Sequence, residues 1–177
     1  MPETERIVID TAPLISLVAA LGDLKVLQSL YSQVLVPFEV CQEILAGGSS
    51  GFAVAEFEAA SWLQKWSNPL TISPLLLNSL DRGEAAVIQL AINESIQTAC
   101  IDETTGRRIA KAHGLLVTGS TAILLRAKKE GYPFFMKEAI QRMRDRGIRL
   151  SEKLVTLALE QAGESDESGR EANRRLK

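Results

Sequence analysis

The sequence predicts a three-layer α/β/α fold with a mainly parallel central sheet. Short apolar runs typical of buried strands alternate along the chain with longer stretches of helical periodicity. Two of these runs, at 6–10 and 98–102, end with an aspartate. This pattern is typical of a strand that is buried on both faces and has a carboxylate at its carboxyl end. We therefore expect parallel strands that are joined by helices.

The first half of the chain predicts two strands, a weak third strand, and helices between them. The strand at 6–10 precedes a helix over 13–22, in which Pro13 suits the first turn. A β-branched run that ends at Pro37 predicts the second strand. In order, the remaining segments are an amphipathic stretch at 24–31, the strand at 34–36, a helix around 40–45, a glycine-rich loop at 47–51, a helical pattern at 54–62 and a weak strand at 70–72.

The second half of the chain alternates between helices and strands more regularly. Asp81 lies near the cap of a strong helix over 81–93, and the strand at 98–102 follows it. The remaining elements are a helix at 105–113, a strand at 115–118, and helices at 120–130, 134–146 and 151–161. This alternation implies a parallel sheet with helices on both of its faces.

The chain has the size and composition of one globular domain. Its 177 residues are 46% hydrophobic and 24% charged, which allows a continuous apolar core. We expect a single domain over 1–162. The last stretch, 163–177, is polar, mixed in charge and without apolar periodicity, and this pattern predicts a disordered tail.

Export and membrane insertion are not expected. The first six residues, MPETER, lack the basic-then-apolar order of a secretory signal, and no apolar run approaches the roughly 20 residues that a membrane helix needs. We expect a cytoplasmic protein without a membrane partner. Cys41 and Cys100 lie in helical or apolar patterns, which indicate buried thiols in a reducing compartment.

A zinc site is also not expected. Zinc sites use two or more Cys or His residues at short spacing. The single histidine, His113, precedes Gly114 at a predicted helix end, where a helix-terminal role is favoured over metal ligation. Any metal chemistry must therefore use oxygen ligands.

A basic stretch at 126–149 is a candidate nucleic-acid surface. The net charge of the chain is −2, which argues against a general nucleic-acid coat protein. This stretch nevertheless holds eight basic and three acidic residues, a local charge of +5. It is either a solvated helix face or a phosphate-binding surface. Lys128 and Lys129 are its candidate RNA-binding residues.

Four acidic residues are candidates for an oxygen-based metal site. Asp10 and Asp102 both end strands, and in open α/β sheets ligands bind beyond the carboxyl ends of the strands, where the strand order reverses. Glu43 and Glu84 lie on predicted helices that could face the same crevice. A single acid at a strand end is as often a turn former or a helix cap. Four gathered carboxylates, however, raise one another's pKa values unless a hard divalent cation neutralises them.

The sequence resembles a known family in four ordered blocks. These blocks are similar to successive blocks of a PIN domain, and they are closest to PIN-like proteins related to VapC toxins. The blocks are IVIDTAPLI at 7–15, VPFEVCQEI at 36–44, LDRGEAAVI at 80–88 and IDE at 101–103. A Gly-Arg block, GRRIA at 106–110, follows, and then VTGS at 117–120 and LRAKKEG at 125–131. The resemblance covers 6 to about 150.

The resemblance implies a PIN-like fold with a Rossmann-like sheet and a ribonuclease site that takes Mg²⁺ or Mn²⁺. It places Asp10, Glu43, Glu84 and Asp102 at the family's four acidic positions, as metal-binding and catalytic residues. The third acid is commonly aspartate in toxins of this superfamily, and Glu84 is one methylene longer. The resemblance also implies an RNA substrate, frequent homodimers and, in many relatives, an antitoxin partner that blocks the site.

Some neighbours of the four acids allow two interpretations. Thr11 either caps the first helix, which we favour slightly, or hydrogen-bonds a metal-bound water. Arg107 occupies a matching family position, where it either pairs with the phosphate or holds Asp102. For Asp81 and Glu103 we favour solvated turn acids over membership of the acid cluster.

The sequence therefore predicts a metal-dependent ribonuclease that hydrolyses phosphodiester bonds with a metal-activated water, either a toxin of a toxin–antitoxin pair or a solitary nuclease. No Gly-x-x-x-x-Gly-Lys-Ser/Thr loop or Gly-x-Gly-x-x-Gly turn follows a strand, which argues against nucleotide binding through a phosphate loop. Ala12 stands where a phosphotransferase with an aspartate nucleophile would have a second acid. The remaining rival is a PIN-like binding module that contacts a protein or nucleic acid with weak or no catalysis.

Overall fold

The structure is a computed structural model, and it describes residues 5–47 and 51–165. Its elements follow one another in the order β1 (Arg6–Ile9), α1 (Thr11–Leu21), α2 (Lys25–Leu30), β2 (Gln33–Val36), α3 (Phe38–Leu45), α4 (Val54–Ala59), β3 (Gln64–Lys65), α5 (Pro74–Ser79), α6 (Arg82–Asn93), β4 (Thr98–Cys100), α7 (Thr104–Ala112), β5 (Leu116–Thr118), α8 (Ser120–Lys129), α9 (Met136–Asp145) and α10 (Glu152–Gln161).

The five strands form one parallel sheet in the order β3-β2-β1-β4-β5. The chain runs from β1 outward through β2 to β3, and then crosses to the other side of β1 for β4 and β5. Val8 at the centre of β1 pairs with Leu35 of β2 on one side and Ala99 of β4 on the other. The expected three-layer α/β/α fold is confirmed, and its strand order reverses between β1 and β4.

After their first residues, the central strands β1 and β4 are apolar because helices cover both faces of the sheet. Ile7, Val8 and Ile9 are completely buried, as are Ala99 and Cys100. A strand with solvent on one face would alternate apolar and polar residues instead. The last residues of β1 and β4 therefore hold the segments that follow them on a rigid support.

Helix α6 joins the core to the carboxyl edge of the sheet. It packs on α3, β1 and β4, and its buried residues include Ala85, Ala86 and Val87. Asp81 caps the helix, since its Oδ1 accepts a hydrogen bond of 2.8 Å from the backbone amide of Glu84. This cap satisfies one of the free amides of the first turn. It also fixes the position of Glu84.

Three details of the first half of the chain differ from the sequence-based expectation. The weak strand expected at 70–72 is irregular, and the short helix α5 follows it. The helical pattern expected through Trp62 ends at Ala59, and the two-residue strand β3 comes after it. A two-residue strand is too short to show periodicity, and its position is set by pairing with β2.

The expectation that Thr11 caps the first helix is wrong. Asp10 occupies the N-cap position with extended backbone, and Thr11 is the first residue of α1. No side chain caps this helix end. The physical reason is that β1 passes directly into α1, so the turn from strand to helix falls on the aspartate. The carboxylate of Asp10 is left without a capping bond.

Helix α10 ends at Gln161, and the expected single domain over 1–162 stays a prediction. Glu164, two residues into the segment expected to be a tail, accepts hydrogen bonds from the backbone amides of Met136 (2.7 Å) and Lys137 (3.1 Å). Residues 166–177 of that segment lie outside the described residues. Among the helices that the structure describes, none has the length and apolar character needed to cross a lipid bilayer.

Candidate active site

Asp10 is a buried carboxylate at the carboxyl end of the central strand. Its backbone amide continues the sheet by donating to the carbonyl of Cys100 at 3.0 Å, and only 6% of the residue is exposed. The pKa of Asp10 is raised to about 7, first by burial and then by three nearby carboxylates, those of Asp81, Glu43 and Glu84, while the backbone amide of Thr11 lowers it in part. The environment therefore disfavours the charged form of this acid.

Glu84 is the second buried carboxylate, on the third residue of α6. It is 6% exposed. Its pKa is raised to about 7, first by burial and then by the carboxylates of Asp81, Glu103 and Glu43, while the backbone of Asp81 lowers it in part. The environment of Glu84 thus also disfavours the charged form.

Gly83 lets the acids approach one another. A Cβ built on Gly83 would lie 2.7 Å from Oε2 of Glu43, 3.3 Å from Oδ1 of Asp10 and 3.5 Å from Oδ1 of Asp81. The first of these distances is shorter than non-bonded atoms allow, so any side chain here would displace the Glu43 carboxylate. Three acids from β1, α3 and the start of α6 thus converge on one residue that has no side chain.

Thr11 holds Glu43 in place. The hydroxyl of Thr11, which is 5% exposed, donates a hydrogen bond of 2.9 Å to Oε2 of Glu43. This contact links the start of α1 to α3 across the carboxyl edge of the sheet. The hydroxyl is therefore directed to a candidate ligand, and the contact with a metal-bound water that the sequence suggested stays a prediction.

Asp102 lies beyond β4 and is held separately from the other acids. Its Oδ1 accepts the backbone amide of Ser120 at 2.8 Å, and its Oδ2 accepts the hydroxyl of Ser120 at 2.9 Å. Asp102 therefore caps helix α8 from a distant part of the chain. Sequence reasoning missed Ser120, although a serine that opens a helix just after a strand is a recognisable signal.

Arg107 lies beside Asp102. Its Nη1 donates to the carbonyl of Ile101 at 2.9 Å. A Cβ built on Gly119 would lie 2.8 Å from this Nη1 and 2.8 Å from Oδ1 of Asp102. Arg107 is half-buried, whereas Arg108 next to it is exposed. The guanidinium is thus anchored to backbone near Asp102, a candidate ligand.

The two acids that the sequence assigned to solvated turns have different positions. Asp81 is exposed and caps α6, yet its Oδ1 faces Gly83 together with Asp10 and Glu43, and it is the largest carboxylate contribution to the raised pKa of Asp10. Glu103 is exposed and acts on Glu84 through space. Asp81 belongs to the acid cluster, which we define as Asp10, Glu43, Asp81 and Glu84.

Lys128 and Lys129 lie at the opposite end of α8 from its contact with Asp102. They are at the end of α8, and Ser120 at its start is about 12 Å away along the helix axis. Nζ of Lys128 donates to the carbonyl of Phe134 at 2.6 Å and pairs with Glu164 at 3.3 Å. Lys129 is exposed. Of the two lysines, only Lys129 presents its charge freely to solvent.

The side chains at this site are of the chemical type that binds hard divalent cations. The donors are carboxylate oxygens, as Mg²⁺ and Mn²⁺ prefer. Of the soft or nitrogen donors, Sγ of Cys41 lies 3.9 Å from the Val36 carbonyl, Cys100 is buried in β4, and Nδ1 of His113 lies 2.9 Å from the Ile109 carbonyl. In the part of the chain that the structure describes, no three His, Cys, Asp or Glu side chains are arranged closely enough to hold a metal ion as they stand.

The fold and the acid cluster define the class of this protein: a three-layer α/β/α domain with a carboxylate site where its parallel sheet reverses order. A family model described as a PIN domain matches residues 6–164, and the chain belongs to the PIN-domain family, whose fold is of the nuclease type. No curated protein matches the chain. The closer relation to VapC toxins stays a prediction.

Proposed function

We propose that this protein is a divalent-metal-dependent endoribonuclease in which Asp10, Glu43, Glu84 and Asp102 hold Mg²⁺ or Mn²⁺. The observation that supports it is the pair of buried carboxylates, Asp10 and Glu84, whose pKa values are both raised to about 7. Among the ion pairs of residues 5–47 and 51–165, none includes Asp10, Glu43 or Glu84.

Such a group of acids is costly without a counter-charge. Buried charges are normally paired or bound to metal, and closely placed carboxylates repel. A protein that needed only a stable core at this position would place apolar residues there. Within the part of the chain that the structure describes, these carboxylates have no ion-pair partner and lie where the strand order of the sheet reverses. They are therefore best explained by a cation that binds during function.

The residues of this chain have separate tasks in the proposed reaction. Asp10 is fixed at the end of the central strand β1, Thr11 orients Glu43, and Ser120 orients Asp102. Arg107, anchored beside Asp102, supplies positive charge for a substrate phosphate. A bound divalent cation would lower the pKa of a water molecule and neutralise charge on the phosphate oxygens. The substrate is RNA in this proposal.

A second candidate is a PIN-like module that binds a protein or nucleic acid with weak or no catalysis. It is favoured by the finding that the described side chains form no three-ligand group. Metal titration separates the two candidates. A ligand that binds only the folded state raises the melting temperature by mass action. A nuclease site should therefore be stabilised by Mn²⁺, and a binding module should not.

A toxin role with an antitoxin partner, and a homodimer, are further parts of the proposal that follow from the resemblance to VapC-related proteins. Growth arrest on expression of the wild type, absent in Asp10→Asn, would support the toxin role. A monomeric mass in solution at working concentration would remove the homodimer from the proposal.

The direct test of nuclease activity is cleavage of a mixed RNA pool by the purified protein with and without Mn²⁺. Asp10→Asn should abolish cleavage and leave the fold intact. Glu58→Gln, an exposed glutamate on α4 outside the acid cluster and the basic stretch, is the control and should cleave as the wild type does. Metal-independent cleavage, or cleavage retained in Asp10→Asn, would refute the proposed chemistry.

A further inference from the structure

Helix α7 begins at the candidate metal site and runs away from it. A Cβ built on Gly106, in its first turn, would lie 3.0 Å from Oε1 of Glu84. The next residue, Arg107, lies beside Asp102. Because α7 connects the parallel strands β4 and β5, it leads from the carboxyl edge of the sheet back toward the other edge. The exposed side of α7 therefore continues directly from the site.

This exposed side carries two cations. Gly106 and Ala110 are buried, and they define the side of α7 that packs on the rest of the protein. Arg108 and Lys111 are exposed, and their spacing of three residues places them on one side of the helix. Along the helix axis they lie about 3 Å and about 8 Å beyond Gly106. We call this pair, Arg108 and Lys111, the α7 face.

The charges of the α7 face are not compensated within the described protein. No acid lies three or four residues from Arg108 or Lys111 in the sequence. Among the side-chain hydrogen bonds and ion pairs of residues 5–47 and 51–165, none includes either residue. Like charges at this spacing destabilise a helix. The helix dipole favours Lys111, which is in the last turn, but it does not explain Arg108.

Most cations of the basic stretch at 126–149, by contrast, are used inside the protein. Arg146 lies over the ring of Phe52 at 3.8 Å. Acids pair with Arg126, Lys128, Arg142 and Arg144. The α7 face therefore offers positive charge that the described protein does not use, and it does so next to the candidate metal site.

We infer that the α7 face binds the phosphates of the RNA strand that follow the cleaved one. The inference rests on the proposed ribonuclease function and adds the path of the substrate to it. RNA is favoured as the occupant because the face continues the positive charge of Arg107, which the proposed reaction assigns to the substrate phosphate. Arginine binds phosphate with two parallel hydrogen bonds, and lysine binds it as a point charge. Such contacts position a strand without reading its bases.

The test removes both charges in the double variant Arg108→Gln/Lys111→Gln. Fluorescence anisotropy with a labelled single-stranded RNA of about 12 nucleotides, in EDTA, measures binding without metal-dependent cleavage. The slope of log affinity against log salt should fall by about 1 for each lost contact, or about 2 in the double variant. Lys153→Gln, which changes an exposed lysine on α10, is the matched control and should keep the wild-type slope.

An unchanged slope in the double variant would overturn the inference, and so would the absence of RNA binding by the wild type at low salt. The melting temperature of the double variant should match that of the wild type, since neither side chain bonds to another described residue. A marked fall in melting temperature would assign the two cations to the stability of the fold instead.

Substrate length provides a second measurement in the presence of Mn²⁺. A dinucleotide has a single phosphodiester and cannot extend to the α7 face. For the RNA of about 12 nucleotides, the double variant should raise KM by about tenfold or more and leave kcat unchanged, because the lost contacts stabilise substrate and transition state equally. The dinucleotide should be cleaved equally by both proteins. An equal loss of activity on both lengths would contradict a substrate path along α7.

The α7 face and the nuclease can fail separately. RNA binding that depends on Arg108 and Lys111 supports the α7 face even if the wild type cleaves no RNA and the nuclease proposal fails. Cleavage by the wild type together with an unchanged salt slope in the double variant refutes the α7 face and leaves the nuclease proposal intact. Binding of an oligoglutamate peptide that requires the α7 face, with RNA binding unaffected, would overturn the inference and assign the face to an acidic protein segment.

Discussion

Ser120 donates two hydrogen bonds to the carboxylate of Asp102, from its backbone amide to Oδ1 at 2.8 Å and from its hydroxyl to Oδ2 at 2.9 Å. The serine is 4% exposed, so water does not compete strongly for either bond. Both carboxylate oxygens are thereby fixed in direction before any ligand binds. Groups that orient metal ligands in this way affect affinity and activity although they do not touch the metal.

Replacement of Ser120 by alanine should reduce both stability and activity. The variant loses the hydroxyl bond to a charged acceptor, so we expect a loss of about 1–2 kcal/mol in the free energy of unfolding. RNA cleavage should fall by about tenfold or more. Urea unfolding and cleavage assays measure the two effects.

Ser79→Ala, which removes an exposed hydroxyl on α5, is the control, and Ser120→Thr should restore part of the activity. Full activity in Ser120→Ala would contradict the role of this serine.

Gly83→Ala should damage the site without damaging the fold. The new Cβ would lie 2.7 Å from Oε2 of Glu43, and a flexible carboxylate moves aside at low cost. Alanine is the better helix former by about 1 kcal/mol, which offsets that cost. We expect an unfolding free energy within about 1 kcal/mol of the wild type but weaker Mn²⁺ binding.

A double-mutant cycle with Glu43→Gln tests whether Gly83 acts through Glu43. If it does, Gly83→Ala should have little further effect on Mn²⁺ affinity in the Glu43→Gln background. Additive losses in Mn²⁺ affinity would show that the alanine acts elsewhere.

The stability of the metal-free protein should fall as the pH rises from about 4 to about 7. The pKa of Asp10 is about 7 in the folded protein, against a usual value of 3.8. The folded state therefore binds more protons than the unfolded state in this interval, and deprotonation favours unfolding. The stabilisation that comes from the protonated carboxyl of Asp10 is fully present below its usual pKa of 3.8. It is lost as the pH rises through the folded-state pKa of about 7. Glu84, raised from 4.5 to about 7, acts in the same direction.

The contribution of Asp10 is on the order of 4 kcal/mol over the whole interval. It is measured by urea unfolding in EDTA at a series of pH values. Asp10→Asn has no proton to lose, so its stability should fall less over this interval than that of the wild type. Parallel pH profiles for the wild type and Asp10→Asn would show that Asp10 has an ordinary pKa.

Charge reversal at Lys129 should weaken RNA binding in a salt-dependent way. Lys129 is exposed on α8, within the basic stretch at 126–149. A lysine that contacts phosphate releases counterions, so Lys129→Glu should lower the slope of log affinity against log salt by about 1. Fluorescence anisotropy with labelled RNA measures the slope. An unchanged slope would indicate a solvated helix face.

Lys128 is unsuitable for that test because its charge is used within the protein. It bonds the Phe134 carbonyl, pairs with Glu164 and lies over the rings of Phe134 and Phe135. Lys128→Glu would place a second acid beside Glu164 and should destabilise the fold. The sequence shows two adjacent lysines, and only the structure separates their roles.

The acids at strand ends were predictable from the sequence because a buried parallel strand is a continuous apolar run. Asp10 and Asp102 follow such runs, and the capped helix that holds Glu84 has a strong apolar pattern. The family blocks then indicated Glu43. These features depend on neighbours in the sequence, so local patterns are sufficient to find them.

The remaining features of the site depend on contacts between distant segments. The hydroxyl of Thr11 meets Glu43, 32 residues away, and Ser120 meets Asp102, 18 residues away. Strand β3 has two residues and is defined by pairing with β2. No periodicity in the sequence records these relationships.

The most direct test of a divalent-metal site in the acid cluster is Mn²⁺ binding to the purified protein near neutral pH. Electron paramagnetic resonance of the free ion measures this binding. We predict saturable binding to the wild type and binding weaker by about tenfold or more in Asp10→Asn. The control variant Asp145→Asn changes an exposed residue on α9 and should keep the wild-type affinity for Mn²⁺. No saturable binding to the wild type, or equal binding to the wild type and Asp10→Asn, would contradict a divalent-metal site in the acid cluster.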